Sequence, residues 1–214
     1  MTSLTDRPSG RPGNIRYRAV TRDAMTTPPN PTTGPRTLVL GGARSGKSAH
    51  AEGLLPADGP AVYLATGRRD PADEDWTTRI AAHERRRPGR WRTVEVTIGA
   101  DLPRQLAELR STGDPVLVDD LATWLTGLFD DHDVWTSSTT GAAAARAQQD
   151  ALVAAVARHD GRLVLVSAEV GLGVVPSTRS GRLFRDELGA LNARLAEACD
   201  EVCLLVAGLP LRLR

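Results

Sequence analysis

An eight-residue segment with three glycines constrains this chain more than any other feature. Residues 41–48 read Gly-Gly-Ala-Arg-Ser-Gly-Lys-Ser and match the pattern G-x-x-x-x-G-K-[ST]. A short apolar run, Thr37–Gly41, precedes the segment, and the residues after it have helical spacing through Leu55. A glycine-rich turn between a strand and a helix points successive backbone N–H groups at phosphate oxygens. This context predicts a P-loop; the alternative is a chance glycine turn.

The motif gives its last two residues distinct roles. Lys47 is expected to reach the β- and γ-phosphates of a nucleotide, and the Ser48 hydroxyl is expected to bind Mg²⁺. Lys47 is therefore also a candidate catalytic residue. The predicted nucleotide-binding residues of the loop are Gly41, Gly42, Ala43, Arg44, Ser45, Gly46, Lys47 and Ser48.

A P-loop enzyme needs a second magnesium ligand, which is usually an acid at the end of a neighbouring strand. The run Val116–Asp119 ends in a carboxylate, and ligands of open α/β sheets bind at the carboxyl ends of the strands. Asp119 is therefore the candidate metal ligand, with Ser48. The alternative is that Asp119 caps the following helix, a role that Asp120 could fill instead.

Short apolar runs alternate with helical patterns from Thr37 onward, which indicates βαβ units and a mostly parallel sheet flanked by helices. The predicted fold class is thus α/β. The remaining predicted strands are 61–66, 92–96, 116–119, 163–167 and 202–207, and the remaining predicted helices are 72–87, 102–110, 121–130, 141–158 and 182–199. The cluster Thr136–Thr140 is expected to be a flexible loop, and Asp70 with Pro71 is expected to start the second helix.

Composition divides the chain into a basic arm and one domain. Residues 1–36 are rich in Pro, Thr, Gly and Arg and carry a charge of +4, which leaves residues 37–214 at −3. We expect the arm to be disordered, and either Met1 or Met25 to be the first residue of the protein. We expect the domain to bind no nucleic acid. No apolar stretch approaches a membrane span or a secretory signal, so the expected location is the cytoplasm. Cys199 and Cys203 are expected to be small buried side chains.

Several further segments give the chain a family resemblance. The motif, with His50-Ala51-Glu52 after it, resembles the opening of bifunctional adenosylcobinamide kinase/adenosylcobinamide-phosphate guanylyltransferases. The resemblance runs from Thr37 to Arg214 with the motifs in the family's order. The other matching segments are Tyr63–Thr66, Arg79-Ile80 with His83, Arg87-Pro88, Trp91–Glu95, Glu169–Pro176, Phe184–Asp186, Cys199–Val202 and Ala207–Pro210.

The resemblance implies a RecA-like P-loop fold that uses GTP or ATP with Mg²⁺. It implies that adenosylcobinamide is phosphorylated and that GMP is then transferred to the phosphate, giving adenosylcobinamide-GDP. A homo-oligomer is also implied, and a trimer is its expected form. The family's other guanine-nucleotide contacts fall on Ala65, Thr66, Gly67, Glu84, Arg85, Arg86, Arg87, Glu95 and Asp119.

The resemblance also makes His83 the residue that carries GMP as a covalent intermediate. A neutral imidazole can attack the α-phosphorus of GTP and release pyrophosphate. The arginines at 85, 86 and 87 would supply positive charge for the phosphates. Without the resemblance, His83 reads as an ordinary histidine on a surface helix. The chain departs from the family at Ala168 and Ala193, where the family usually has amides.

Two alternatives remain open from the sequence. The chain could be a P-loop small-molecule kinase without the transferase step, in which His83 has no chemical role. It could instead be a binding module that nucleotide hydrolysis switches. Covalent labelling of the protein by GTP separates the transferase from both.

Overall fold

The computed structural model describes residues 34–70, 72–110, 112–136 and 138–214. Most of the predicted arm, residues 1–33 with Met25, lies outside this part of the chain. The strands are β1 Arg36–Gly41, β2 Ala61–Ala65, β3 Trp91–Glu95, β4 Val116–Asp119, β5 Leu163–Ala168, β6 Glu201–Val206 and β7 Leu209–Arg212. The helices are α1 Lys47–Glu52, α2 Glu74–Arg86, α3 Asp101–Leu109, α4 Leu121–Asp131, α5 Thr139–Ala157 and α6 Arg179–Ala198, with a short 3-10 helix at Val134–Thr136.

The seven strands form one sheet in the order β3-β2-β4-β5-β1-β6-β7. Only the β6–β7 pair is antiparallel, so the predicted α/β class with a mostly parallel sheet is confirmed. β5 lies between β1, which leads into the glycine-rich loop, and β4, which ends in Asp119. The carboxyl ends of the parallel strands therefore meet along one edge of the sheet.

The core lies on both faces of this sheet because successive side chains of a strand point to opposite faces. In β1, Leu38 and Leu40 belong to the larger cluster, which α3, α4, α5 and α6 cover. Val39 points the other way and packs with Ala51 of α1 in the smaller cluster. Both free cysteines lie on this framework, with Cys199 buried and Cys203 half-buried. Within the described residues, no helix is both long and apolar enough to cross a bilayer.

Three predicted boundaries differ from the structure because side-chain caps set them. α2 begins at Glu74 rather than at Ala72, since the Asp73 side chain accepts the backbone N–H of Trp76 at 2.8 Å. The segment 136–140 is not simply a loop, because Ser138 caps α5 and the helix already starts at Thr139. Thr178 in turn caps α6, which starts at Arg179 rather than at residue 182. α1 also ends earlier than predicted, at Glu52.

The sequence analysis missed β7, the antiparallel edge strand. A tight turn with positive φ at Ala207 and Gly208 joins it to β6. All four β7 residues are exposed, so the strand has no alternation of buried and exposed positions. The turn also reaches the glycine-rich loop, because the Gly208 N–H donates to the Ser45 carbonyl at 3.1 Å.

Candidate active site

The loop between β1 and α1 has the conformation that its glycines permit. Gly46 has a φ of 89°, in the left-handed region that glycine adopts freely, and caps α1. A Cβ on Gly41 would overlap the Ser45 hydroxyl. That hydroxyl is buried and has no hydrogen-bond partner among the described residues, which leaves a donor free inside the loop. Lys47 folds back over the loop, with its Nζ 3.4 Å from the Gly42 carbonyl.

Asp119 lies at the centre of a polar cluster at the end of β4. The Ser48 hydroxyl donates to its Oδ1 at 3.2 Å, and the Tyr63 hydroxyl donates to its Oδ2 at 2.6 Å. Burial alone would raise the pKa of Asp119, but interactions with His83, Tyr63 and Ser48 outweigh burial and lower it. Asp119 is therefore a carboxylate at neutral pH. A carboxylate beside a serine hydroxyl offers the oxygen ligands that Mg²⁺ prefers.

Asp120 caps a helix, unlike Asp119, which lies in the polar cluster. Its side chain accepts the backbone N–H of Thr123 at 2.8 Å and caps α4. Burial and the charge of Asp119 raise the pKa of Asp120. Thr66 is buried beneath this turn, where its hydroxyl donates to the Asp120 carbonyl at 2.6 Å. The helix-capping role considered for Asp119 thus belongs to Asp120.

α2 places His83 opposite Asp119. The Nδ1 atom of His83 lies 3.6 Å from Oδ2 of Asp119, and 35% of the His83 side chain is exposed. Because Nδ1 faces the carboxylate, Nε2 is the ring nitrogen that can react with a substrate. A carboxylate on one nitrogen fixes the tautomer and orientation of an imidazole whose other nitrogen reacts.

Two glutamates and an arginine form a charged group at the far end of the site. The Arg69 guanidinium lies 2.9 Å from a carboxylate oxygen of Glu95 and also pairs closely with Glu84. Nearby, the Arg87 guanidinium lies over the Tyr63 ring, 3.6 Å from its centroid. Burial and the charge of Asp119 raise the pKa of Tyr63, so its hydroxyl remains a proton donor.

Most of these groups border one cavity of about 620 Å³. The glycine-rich loop and Asp119 lie at one end, and the Arg69 group at the other. The predicted site residues in its lining are Ala43, Arg44, Ser45, Gly46, Lys47, Ser48, Ala65, Gly67, His83, Glu84, Arg86, Arg87, Glu95 and Asp119. Gly41, Gly42 and Thr66 support the cavity from outside its lining. Arg85 is exposed and does not line it.

The sequence analysis gave Glu52 no role, although the structure brings it into the site. Its side chain is 13% exposed and lies 3.4 Å from Arg86. The ligand atoms of Glu52, His83 and Asp119 lie within 4.8 Å of one another. Glu52 follows Ser48 by four residues, which places both on one face of α1. That spacing is the feature of the sequence that could have identified it.

Several residues of the cavity lining were also missed or named only within a matching segment, and four of them carry polar or aromatic side chains. These four have ordinary sequence contexts, and tertiary packing alone brings them to the site. They are Tyr63, Arg69, Trp76 and Thr123.

Comparison with known proteins identifies the family. The sequence model of the family described as cobinamide kinase / cobinamide phosphate guanyltransferase matches residues 37–213. A protein of Pseudomonas aeruginosa named bifunctional adenosylcobalamin biosynthesis protein CobP is 41% identical over 180 residues, which cover 84% of this chain and 97% of that protein.

Two enterobacterial proteins named bifunctional adenosylcobalamin biosynthesis protein CobU are also similar. The Salmonella typhimurium protein is 39% identical over 193 residues, and the Escherichia coli protein is 36% identical over 189 residues. Each alignment covers 83% of this chain and 98% of the relative. With its P-loop fold and its polar cavity at the edge of the sheet, this chain belongs to the cobinamide kinase / cobinamide phosphate guanyltransferase family.

Proposed function

We propose that this chain carries out both reactions in the family's description, with adenosylcobinamide as the acceptor. It first phosphorylates the aminopropanol hydroxyl of adenosylcobinamide and then joins GMP to that phosphate, giving adenosylcobinamide-GDP in cobalamin biosynthesis. The observation that carries the proposal is the 3.6 Å approach of His83 Nδ1 to Asp119 inside the cavity that the P-loop opens into. One nucleotide site can then serve both steps.

In the kinase step, the glycine-rich loop and Lys47 hold the β- and γ-phosphates of GTP or ATP. The substrate hydroxyl attacks the γ-phosphorus and releases its proton to solvent, the bond from this phosphorus to the β,γ-bridging oxygen breaks, and the nucleoside diphosphate leaves. Positioning and charge stabilisation supply most of the catalysis in such a transfer. Ser48 and Asp119 would hold Mg²⁺, which neutralises charge on the phosphates when it is bound.

In the transferase step, Nε2 of His83 attacks the α-phosphorus of GTP. A nitrogen–phosphorus bond forms, the bond to the bridging oxygen breaks, and pyrophosphate leaves. Asp119 accepts the Nδ1 proton in a hydrogen bond, which stabilises the positive charge that develops on the ring. A phosphate oxygen of adenosylcobinamide phosphate then attacks the same phosphorus, and the imidazole leaves unchanged.

The charged group at the far end of the cavity supports a guanine nucleotide in the transferase step. The ring N–H and the exocyclic amine of guanine are adjacent donors, and adenine lacks that pair. The Glu84 and Glu95 carboxylates can accept from both donors, while Arg69 holds them in place. A site whose hydrogen-bond acceptors match the donors of one base disfavours a base that lacks those donors.

A homo-oligomer, with a trimer as its expected form, is part of the proposal because the resemblance implies one. The hairpin β6–β7 gives it physical support, since it exposes aliphatic side chains beside the outer edge of β7, which has no further partner strand among the described residues. Leu209 is 72% exposed, and Val206, Leu211 and Leu213 are each more than half exposed. Such an edge favours association with another chain.

The test is covalent labelling of the pure protein with GTP that carries a radioactive α-phosphorus. Wild type should become labelled and pass the label to adenosylcobinamide phosphate. His83→Ala should take up no label and should accumulate adenosylcobinamide phosphate, because the kinase step needs no nucleophile from the protein. A kinase without the transferase step, or a nucleotide-switched module, would leave the wild type unlabelled.

The other histidines are matched controls. His50→Ala, on the helix that the P-loop opens, should keep the label, as should the variants at His132 and His159. Labelling that survives in His83→Ala and disappears in His50→Ala would move the nucleophile to His50. Labelling that survives all four substitutions would end the histidine mechanism.

A further inference from the structure

The cavity runs along the edge of the sheet from the glycine-rich loop to the ends of β2 and β3, and its length matches that of a nucleotide. The glycine-rich loop follows β1, Asp119 ends β4, and Ala65 and Glu95 end β2 and β3. Four strand spacings separate β1 from β3, a span of about 19 Å at about 4.8 Å each. An extended nucleoside triphosphate has a comparable length. With its phosphates in the loop, its base therefore lies near the ends of β2 and β3.

Trp76 lies at this end of the cavity and is held in one orientation. Its Nε1–H donates to the Arg68 carbonyl at 2.7 Å. A Cβ added to Gly67 would come within 2.9 Å of Cζ2 of the indole, so the ring lies directly against the Gly67 backbone. Ile80, one turn further along α2, lines the same part of the cavity.

The other three tryptophans have structural roles that Trp76 does not share. Trp91 and Trp124 are 8% and 2% exposed and belong to the two core clusters. Trp135 packs edge-on against Phe129, with ring centroids 5.1 Å apart. Trp76 belongs to neither cluster of the described residues and lines the cavity half-buried. Core packing therefore does not account for a large aromatic side chain at this position.

We propose that the indole of Trp76 is the aromatic wall of a purine pocket, against which the base of the bound nucleotide stacks. This inference rests on the proposed function, which makes a guanine nucleotide the substrate. Glu84 and Glu95 would read the hydrogen-bonding edge of the base, and Trp76 would contact its face. Every base has a π-face, so stacking accepts guanine and adenine alike. Trp76 thus sets affinity and the carboxylates set the choice of base.

The experiment follows tryptophan fluorescence while the full-length protein is titrated with the α,β-methylene analogue of GTP, which cannot guanylylate the protein. Wild type should show a saturable change in fluorescence. Trp76→Phe should lose most of this change yet bind with a Kd within about threefold of wild type, since phenylalanine still stacks. Trp76→Ala, followed by calorimetry, should bind about tenfold more weakly, which equals about 1.4 kcal/mol.

The α,β-methylene analogue of ATP tests the division of roles. Trp76→Ala should weaken the guanine and adenine analogues by the same factor, and weakening of the guanine analogue alone would contradict the stacking role. Trp135→Phe, which alters a tryptophan outside the cavity, should keep the full fluorescence change. Equal melting temperatures of wild type and Trp76→Phe would show that the fold is intact.

Two results overturn the inference. One is a full fluorescence change in Trp76→Phe, and the other is a wild-type Kd in Trp76→Ala. If either occurs while wild type is still labelled by GTP, only the role of Trp76 falls. If wild type binds neither analogue and takes up no label, the proposed function falls with it.

Discussion

The two walls of the cavity are built in different ways. The phosphate wall, residues 41–49, continues from β1, in which five of the six residues are buried. The helix wall is α2, and none of the side chains described for it is fully buried. Polar contacts hold this helix. Three are charged pairs: His83 with Asp119, Arg86 with Glu52, and Glu84 with Arg69. The fourth is the hydrogen bond from the indole N–H of Trp76 to the Arg68 carbonyl.

The two walls should therefore differ in how much they contribute to fold stability and to individual reaction steps. Burial of the apolar side chains of β1 anchors the start of the phosphate wall in the core, although most residues of the wall itself are exposed or half-buried. A small number of hydrogen bonds and ion pairs fixes the helix wall, and exposed pairs contribute little to stability. Substitutions in the phosphate wall should therefore affect every reaction, whereas substitutions in α2 should affect single steps and leave the fold intact.

The largest effect is expected for Lys47→Ala in the phosphate wall. In the proposed function, both reactions use a nucleotide whose phosphates contact this ammonium, so both should slow by about a hundred- to a thousandfold, or about 2.7–4 kcal/mol. Separate assays of adenosylcobinamide phosphorylation and of protein labelling measure the two effects. If either activity stayed within a few-fold of wild type, that step would not use the P-loop.

A pair of truncations compares the walls by stability. Leu38→Ala in β1 removes a fully buried side chain and should lower the free energy of unfolding by about 2–5 kcal/mol. Ile80→Ala in α2 truncates a half-buried side chain and should cost about 1 kcal/mol or less. Urea denaturation of both variants gives the values. Equal losses would show that α2 is part of the core.

Glu52→Gln tests the contact between the walls, because Glu52 ends α1 and reaches two residues of α2. The substitution removes the negative charge beside His83 and Arg86, and the initial rate of labelling should fall about tenfold, or about 1.4 kcal/mol. The melting temperature should stay near that of wild type. Glu197→Gln, at an exposed position of α6, is the matched control. An unchanged labelling rate in Glu52→Gln would exclude Glu52 from the transferase step.

The smallest expected effect is the pH dependence of stability that comes from His159, which lies outside both walls. His159 is 4% exposed, and burial lowers its pKa in the folded state. The unfolded chain, with a histidine pKa of about 6.5, then binds the proton more readily, so stability falls as the pH drops from about 6.5 towards the folded-state pKa. The slope from this residue is at most about 1.4 kcal/mol per pH unit.

Urea denaturation at several pH values measures this slope, and His159→Gln should show a flatter dependence in the same window. An unchanged slope in the variant would assign the acid sensitivity to other groups. Because His159 lies between α5 and the amino end of β5, whereas the site lies at the carboxyl ends of the parallel strands, its substitution should leave protein labelling intact.

Local patterns predicted most of the fold. The strands β1 to β6 and the helices between them follow from apolar runs and helical spacing, because a parallel sheet buried on both faces produces continuous apolar strands. β7 was missed since its residues bury no face. The start of α2 was placed wrongly because the sequence has several acids near residue 73, and only the structure shows which one caps the helix.

The site residues also fall into two groups, those that local patterns predict and those that they do not. Lys47, Ser48 and Asp119 follow from motif and strand-end rules, which are local. His83 came only from the family resemblance, because a histidine among arginines on an exposed helix is ordinary. Glu52 was missed although its four-residue spacing from Ser48 marks it, whereas Trp76 is brought to the cavity by tertiary packing, which no short pattern of a single sequence encodes.

The position of β1 in the sheet has a consequence for how the protein is made. β1 is the first strand of the described residues, yet its two neighbours are β5 and β6, from the last third of the sequence. The Ser45 carbonyl also receives its hydrogen bond from Gly208. During synthesis on the ribosome, the phosphate loop therefore lacks its supports until the C-terminal residues have emerged. Contacts between such distant segments slow folding, so a nascent chain that ends before β6 should be unable to retain nucleotide.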